Sequence, residues 1–234
     1  MNGHQPIFMK KASYCRFISL SLTAIAICIC FIACFKDLPQ RTTVYSNNFE
    51  SKTGLGIEVY NAAGLVDTPT ITSFNGTQVL GRFNNNLVSL KVKNLPVHSI
   101  LKITFDLYIH DQWDGDYIAP GNSLPDAWVM NLDNFPLYLT TFSNGIYRQS
   151  FPANYTAGGF MNPPKANAWA GNLPAACTSP GNTNGTTLYK IENITSHTAD
   201  SLVITMNDVL QPPGNYCLKS WSIDNMVITV NRYQ

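Results

Sequence analysis

Leu101-Lys102-Ile103-Thr104-Phe105-Asp106-Leu107-Tyr108-Ile109 is an unbroken alternation of apolar and polar side chains. Leu101, Ile103, Phe105, Leu107 and Ile109 share one parity; Lys102, Thr104, Asp106, Tyr108 and, one step on, His110 share the other. Successive side chains of an extended chain point to opposite faces, so this run specifies a strand with one buried side. Outward from it, Val88, Leu90 and Val92 repeat the pattern, as do Leu202, Ile204 and Met206. Further strands are expected at Val44–Phe49, Thr70–Ser73, Gln78–Phe83, Ala127–Leu132, Leu137–Phe142, Gly145–Phe151, Thr187–Ile191 and Ser222–Asn231. Turn formers stand between them at Asn75-Gly76, Asn84-Asn85-Asn86, Asn144-Gly145 and Gly181–Gly185, and Asn144-Gly145 is predicted to close a two-residue hairpin. No helical period is sustained over more than about ten residues. Ala153–Asn184, with Pro163, Pro164, Pro174 and Pro180, has little alternation and reads as a long functional or packing loop. So many short strands predict one all-β, two-sheet sandwich over residues 43–234, not two domains.

Composition narrows the function. Of the 234 residues, 12% are charged and 45% hydrophobic, and fifteen Lys+Arg against fourteen Asp+Glu leave a net charge of +1. A chain this neutral advertises no nucleic-acid surface, and one this apolar is not disordered. Lys10, Lys11 and Arg16 precede Phe17–Ala33, a run without a charge. A basic start followed by a short apolar run describes an export signal.

Phe31-Ile32-Ala33-Cys34 closes that run and resembles the lipobox of bacterial lipoproteins, with Phe31 where Leu is usual. The resemblance implies a signal peptide over 1–33, lipid on Cys34, a tether over 34–42, and a protein exported and held by its lipid on the cell envelope, at the outer membrane or cell surface. Stable anchoring takes more than one acyl chain. An uncleaved membrane helix and secretion with a different cleavage site are the alternatives. Cleavage at Cys34 would leave twelve basic and fourteen acidic residues, a net of −2. It would also leave two cysteines, Cys177 and Cys217, an even number in an exported domain, so one disulfide is expected, with two separate buried thiols as the alternative.

Three segments carry a second resemblance: Ser46-Asn47-Asn48-Phe49-Glu50, Asp111-Gln112-Trp113-Asp114-Gly115-Asp116, and Ser220-Trp221-Ser222-Ile223-Asp224-Asn225-Met226. Together they are similar to bacterial exported domains of the concanavalin A-like jelly-roll kind, of the lectin and glucanase type. The resemblance implies an antiparallel jelly roll with the first and last segments as adjacent strands. Trp221 and Ile223 share one parity, whereas Met226, Ile228 and Val230 share the other, so a bulge is predicted at Asp224-Asn225.

Chemistry is sparser. Asp106, Asp111, Asp114, Asp116, Asp126 and Asp133 fall within 28 residues, and no Lys or Arg stands between Lys102 and Arg148. Crowded carboxylates repel unless a cation relieves them, which makes Asp111, Asp114, Asp116 and Asp126 a candidate calcium site; the alternative is a solvated loop whose Asp side chains cap turns. For a sugar ligand, Trp113, Tyr117 and Trp169 are candidate stacking faces and Asn225 a candidate polar contact, while Trp128 and Trp221 read as core. No catalytic constellation emerges. The jelly-roll glucanase run Glu-x-Asp-x-x-Glu is absent, Glu50, Glu58 and Glu192 are dispersed, and His98, His110 and His197 lack metal-ligand spacing. His110 beside Asp111 is the one candidate base with an orienting acid. The reading is therefore non-covalent recognition of glycans at the envelope, with an adhesive module binding surface proteins as alternative and a polysaccharide-active enzyme as third.

Overall fold

A computed structural model describes residues 40–52, 54–66, 69–177 and 185–232; the expected signal segment, Cys34 and the tether up to residue 39 lie outside the described residues. Residues Arg41–Arg232 form one compact unit. The larger sheet holds β1 (Gln40–Asn47), β4 (Ile71–Phe74), β5 (Thr77–Phe83), β7 (Ile100–Asp111), β10 (Ala170–Leu173), β11 (Thr186–Ser196) and β13 (Lys219–Arg232). The other holds β2 (Ile57–Asn61), β3 (Gly64–Val66), β6 (Leu87–Lys93), β8 (Ala127–Leu132), β9 (Phe135–Thr140) and β12 (Ser201–Val209). Their orders are β10-β11-β7-β13-β5-β4, with β1 also on β13, and β3-β2-β6-β12-β8-β9. The chain steps from sheet to sheet at β5–β6–β7–β8 and again at β11–β12–β13, the path of an antiparallel jelly-roll sandwich.

The alternating run is the centre of the larger sheet. β7 pairs with β11 from Ile100↔Ser196 to His110↔Thr186 and with β13 from Ile100↔Asn231 to Asp111↔Lys219. Its apolar parity faces the interior, where Trp113, Trp128, Trp221, Phe142 and Tyr189 are fully buried. Trp128 meets Trp221 edge-on at 6.1 Å, and the Phe142 and Tyr189 rings lie 4.7 Å apart. Each side chain of this size removes enough apolar surface from water to stabilise by about 2 kcal/mol. β12 keeps strict alternation along its length because its sheet is wet on one side.

Local details follow sequence chemistry. Asn75-Gly76 joins β4 to β5 with Phe74 opposite Thr77 and both turn residues at positive φ, 48° and 88°, the two-residue hairpin that suits twisted strands. On β13, Asp224 faces Asp106 and Val227 faces Thr104, so one extra residue bulges as predicted. β1 and β13 are neighbours, as the terminal segments suggested, although β1 begins at Gln40, inside the stretch read as tether.

Other expectations are corrected. Asn144-Gly145 closes no hairpin, and Gly145–Phe151 is not a strand. Asn144 is buried and its Nδ2 donates to the Ile109 and Asp111 carbonyls at 2.9 Å each, so this Asn fastens a loop to the end of β7. β2, β3 and β10 are additional to the expected strands, and the described part of Ala153–Asn184 contributes β10, which pairs with β11 at the edge of the larger sheet. Cys177 and Cys217 form a disulfide with Cα atoms 5.2 Å apart.

Candidate functional site

The outer face of the larger sheet, the polar parity of β7, is closed at one end and open at the other. At the closed end Phe74, Val79, Tyr108 and Leu188 form a second apolar cluster, with Ala170, Leu173 and Ala176 packed on it. His110 lies beneath this roof, fully buried, its Nδ1 3.0 Å from Thr186 Oγ1 and its Nε2 2.7 Å from Ser222 Oγ. Burial, with the Arg82 charge adding to it, pushes the imidazole down to about 3 and keeps it neutral. His110 therefore has no route to a substrate. Nor does Asp111 orient it, because Asp111 Oδ1 accepts the Ala176 N–H at 3.0 Å.

Past Tyr108 the roof ends and a groove of about 380 Å³ opens, lined by Thr104, Asp106, Lys190, Glu192 and Asn225. Asp106 organises it. One carboxylate oxygen accepts from Lys190 Nζ at 2.9 Å, and the other accepts from Asn225 Nδ2 at 3.0 Å. Asn225 reaches that position through the β13 bulge, where its φ of 51° carries the side chain out over β7. Beside it, Asp224 accepts from the Asn225 N–H at 2.7 Å and the Thr77 hydroxyl at 3.2 Å. Burial, helped by the nearby Asp106 and Glu50 charges, pushes Asp224 up to about 6. Lys190 Nζ also lies 5.1 Å from the centre of the Trp169 ring, a cation–π contact. Trp169 is 69% exposed, and its backbone N–H donates to the Leu188 carbonyl at 2.8 Å, which seats the residue beside β11. The groove thus presents a row of carboxylate, ammonium and amide groups, and Lys190 links it to the largely exposed Trp169 indole alongside.

Of the four candidate ligand residues, Asn225 lines the groove, Trp169 adjoins it through its contact with Lys190, and the other two lie elsewhere. Trp113 is fully buried, its Nε1 donating to the Ser220 carbonyl at 2.8 Å and its ring edge-on to Phe142, so it is core rather than a sugar platform. Tyr117 lies in a separate loop, its ring stacked on Tyr147 at 4.7 Å.

The four candidate calcium ligands do not converge. Asp111 is turned to Ala176, and Asp116 Oδ1 accepts the Arg148 N–H at 3.1 Å. Asp114 and Asp126 do meet, but on Lys219 Nζ, at 3.2 and 2.5 Å. Burial pushes the Asp126 carboxyl up, and Lys219 opposes that push. The counter-charge is an ammonium from a strand about a hundred residues away in sequence, and among the described residues no group of three His, Cys, Asp or Glu side chains could hold a metal ion. Gly115 makes the loop possible. It sits at φ 61°, where a Cβ would run into the Arg148 carbonyl oxygen.

Comparison with protein families and with curated proteins finds no match. Among solved structures, the chain is similar to a family 35 carbohydrate-binding module from Clostridium thermocellum, with 8% identity, a TM-score of 0.35, and coverage of 81% of this chain and 97% of that one. It is similar also to the C-terminal CBM6 of LamC, a marine laminarinase from Zobellia galactanivorans, with 10% identity, a TM-score of 0.31, and coverage of 82% and 99%. The K3 cleaved adhesin domain of Lys-gingipain from Porphyromonas gingivalis W83 shows 11% identity and a TM-score of 0.35, with coverage of 80% and 98%.

Lys190, Asp106 and Glu192 were not singled out as ligand residues by sequence. Asp106 and Lys190 are cross-strand partners in the β7–β11 ladder, a relation visible only once the register is known.

Proposed function

We propose that this protein recognises glycans non-covalently through the groove on the outer face of its larger sheet. The observation that carries the proposal is the exposed Trp169 ring beside the Asp106–Lys190–Asn225 network. A pyranose presents an apolar C–H face and a rim of hydroxyls. An indole face matches the first, and a row of fixed donors and acceptors matches the second. The carboxylate of Asp106 is already held by two partners, so its geometry needs little ordering when a hydroxyl arrives. The proposal includes the lipid anchor at Cys34, which would hold this face at the cell envelope.

A glycan array probed with the full chain in a non-glycosidic detergent tests it. Binding to defined sugars that weakens about tenfold in Trp169→Ala, at unchanged melting temperature, supports the reading. A blank array, or binding indifferent to Trp169, overturns it.

A second reading, an adhesive module that binds protein, rests on the loop end of the sandwich. There Ile146 is 86% exposed beside the Tyr117–Tyr147 stack, and Phe160, 78% exposed, packs under Arg148 at 5.9 Å. A blank array together with loss of cell adhesion in Ile146→Ser would favour it.

A further inference from the structure

A second cleft, of about 400 Å³, opens where the edges of the two sheets part. Val59 and Asn61 of β2 and Val66 of β3 line one side, while Thr72 of β4 and Arg82 of β5 line the other, with Tyr216 and Asn86 completing it. We infer that this cleft binds a small hydroxylated molecule bearing one oxyanion group, with Arg82 as its anchor, at a site separate from the Trp169 groove.

Three observations support this. First, Arg82 donates from Nη1 to Cys177 Sγ at 2.7 Å, and among the described residues no carboxylate pairs with its guanidinium. A guanidinium has five N–H donors in a planar fork suited to carboxylate and sulfate, so most of its capacity is unused. Its charge is felt inside the protein, where it adds to the downward push on buried His110.

Second, the cleft's two amides are committed as donors. Asn61 Oδ1 accepts the Ala63 N–H at 2.8 Å, and Asn86 Oδ1 accepts the Asn84 N–H at 3.2 Å. A backbone N–H can bond only the oxygen of an amide, so in each of these lining residues Nδ2 is the end that remains to donate. Among the described residues that line it, none is acidic. The described lining therefore offers donors and one guanidinium with no carboxylate beside it, the complement of an oxyanion flanked by hydroxyls.

Third, the volume and the mixed lining suit a small organic ligand. Val59, Val66 and Phe83 supply apolar walls, and the volume falls in the range of about 300–1,000 Å³ usual for such sites. The site is also braced: Arg82 touches one cysteine of the disulfide, and Tyr216 immediately precedes the other.

Calorimetric titration of the full chain in a non-glycosidic detergent tests the inference, with sodium galacturonate, galactose 6-sulfate and neutral galactose as probes. At least one anionic probe should bind about tenfold more tightly than galactose, the difference of one charge-assisted hydrogen bond. Which anion wins separates carboxylate from sulfate ester as the source. Arg82→Gln should erase that preference, Asn61→Leu should weaken it severalfold, and Trp169→Ala should leave it intact. If Arg82→Gln fails to fold, Asn61→Leu, at an exposed strand end, decides. Equal binding of galactose and both anions, no binding of either anion, or a preference that survives both cleft variants would overturn the inference.

Discussion

Lys219 and Lys190 both stand on strands of the larger sheet and both meet aspartate, yet they do different work. Lys219 is 7% exposed at its side chain and sits between Asp126 and Asp114, whereas Lys190 is 50% exposed and holds Asp106 from the solvent side. The buried ammonium has no water to fall back on. Its two carboxylates are the reason it can be charged there, and it is the reason they can be. The exposed ammonium has water, an indole face and a carboxylate to choose from, so none of these contacts contributes much to stability. Solvation, more than the pairing itself, separates a structural knot from a surface able to exchange partners with a ligand.

The contrast breaks most sharply at Lys219. Lys219→Met leaves Asp126 buried without its cation and should cost about 3–5 kcal/mol, read as a fall in the urea midpoint. A loss below about 1 kcal/mol would place the knot in the same class as Lys190.

A buried acid with no lysine sharpens the point. Asp208 accepts the Trp221 Nε1–H at 2.6 Å and the Asn85 N–H at 2.7 Å, and burial outweighs these bonds and pushes it up to about 6 from 3.8. Below pH 3.8 the carboxyl is protonated in both folded and unfolded chains, and its contribution to stability is fully present. As pH rises toward 6 the unfolded chain gives up its proton first, so stability falls by up to about 3 kcal/mol across that window. Urea midpoints measured from pH 4 to 7 should decline, and Asp208→Asn should flatten the decline. An equal slope in both proteins would assign the effect elsewhere.

On the open side, Trp169→Ala should cost binding rather than stability. The expected loss is about tenfold in glycan affinity, within the 1–3 kcal/mol of an aromatic anchor, with a melting temperature within a degree or two of wild type. A large drop in melting temperature would make Trp169 part of the packing instead.

How much of this was legible in the sequence follows the range of the forces involved. The fold was readable because period-two burial is local: the Leu101–Ile109 run needed no partner to declare its faces. The β13 bulge was readable for the same reason, as a change of parity at Asp224-Asn225. The site was only half readable. Exposure of Trp169 and burial of Trp113 depend on what covers them, and Trp113 is covered by Phe142 and the end of β13, both distant in sequence. The acidic stretch misled because its cation comes from Lys219, far along the chain. Asn144-Gly145 failed as a hairpin because the Asn side chain had better partners on β7 than a turn offers.

The smallest expected effect completes the comparison. Lys190→Met removes a pair whose lysine is half in water, so it should change stability by less than about 1 kcal/mol, and less still at high salt. Asp106, itself only 8% exposed, keeps Asn225 Nδ2 as a partner at the wall of the groove, so it is not left without a hydrogen bond. Met also preserves the aliphatic stem beside Trp169, which isolates the charge from the packing. Glycan affinity should nonetheless fall severalfold, because Asp106 would lose the donor that fixes its second oxygen. Paired urea and binding measurements on Lys190→Met, Asp106→Asn and the double variant separate the two roles. If the two positions couple in binding but not in stability, Lys190 and Asp106 act as one ligand-facing unit. Coupling of several kcal/mol in stability would place them with Lys219 as a structural pair and remove the groove's claim to be a site.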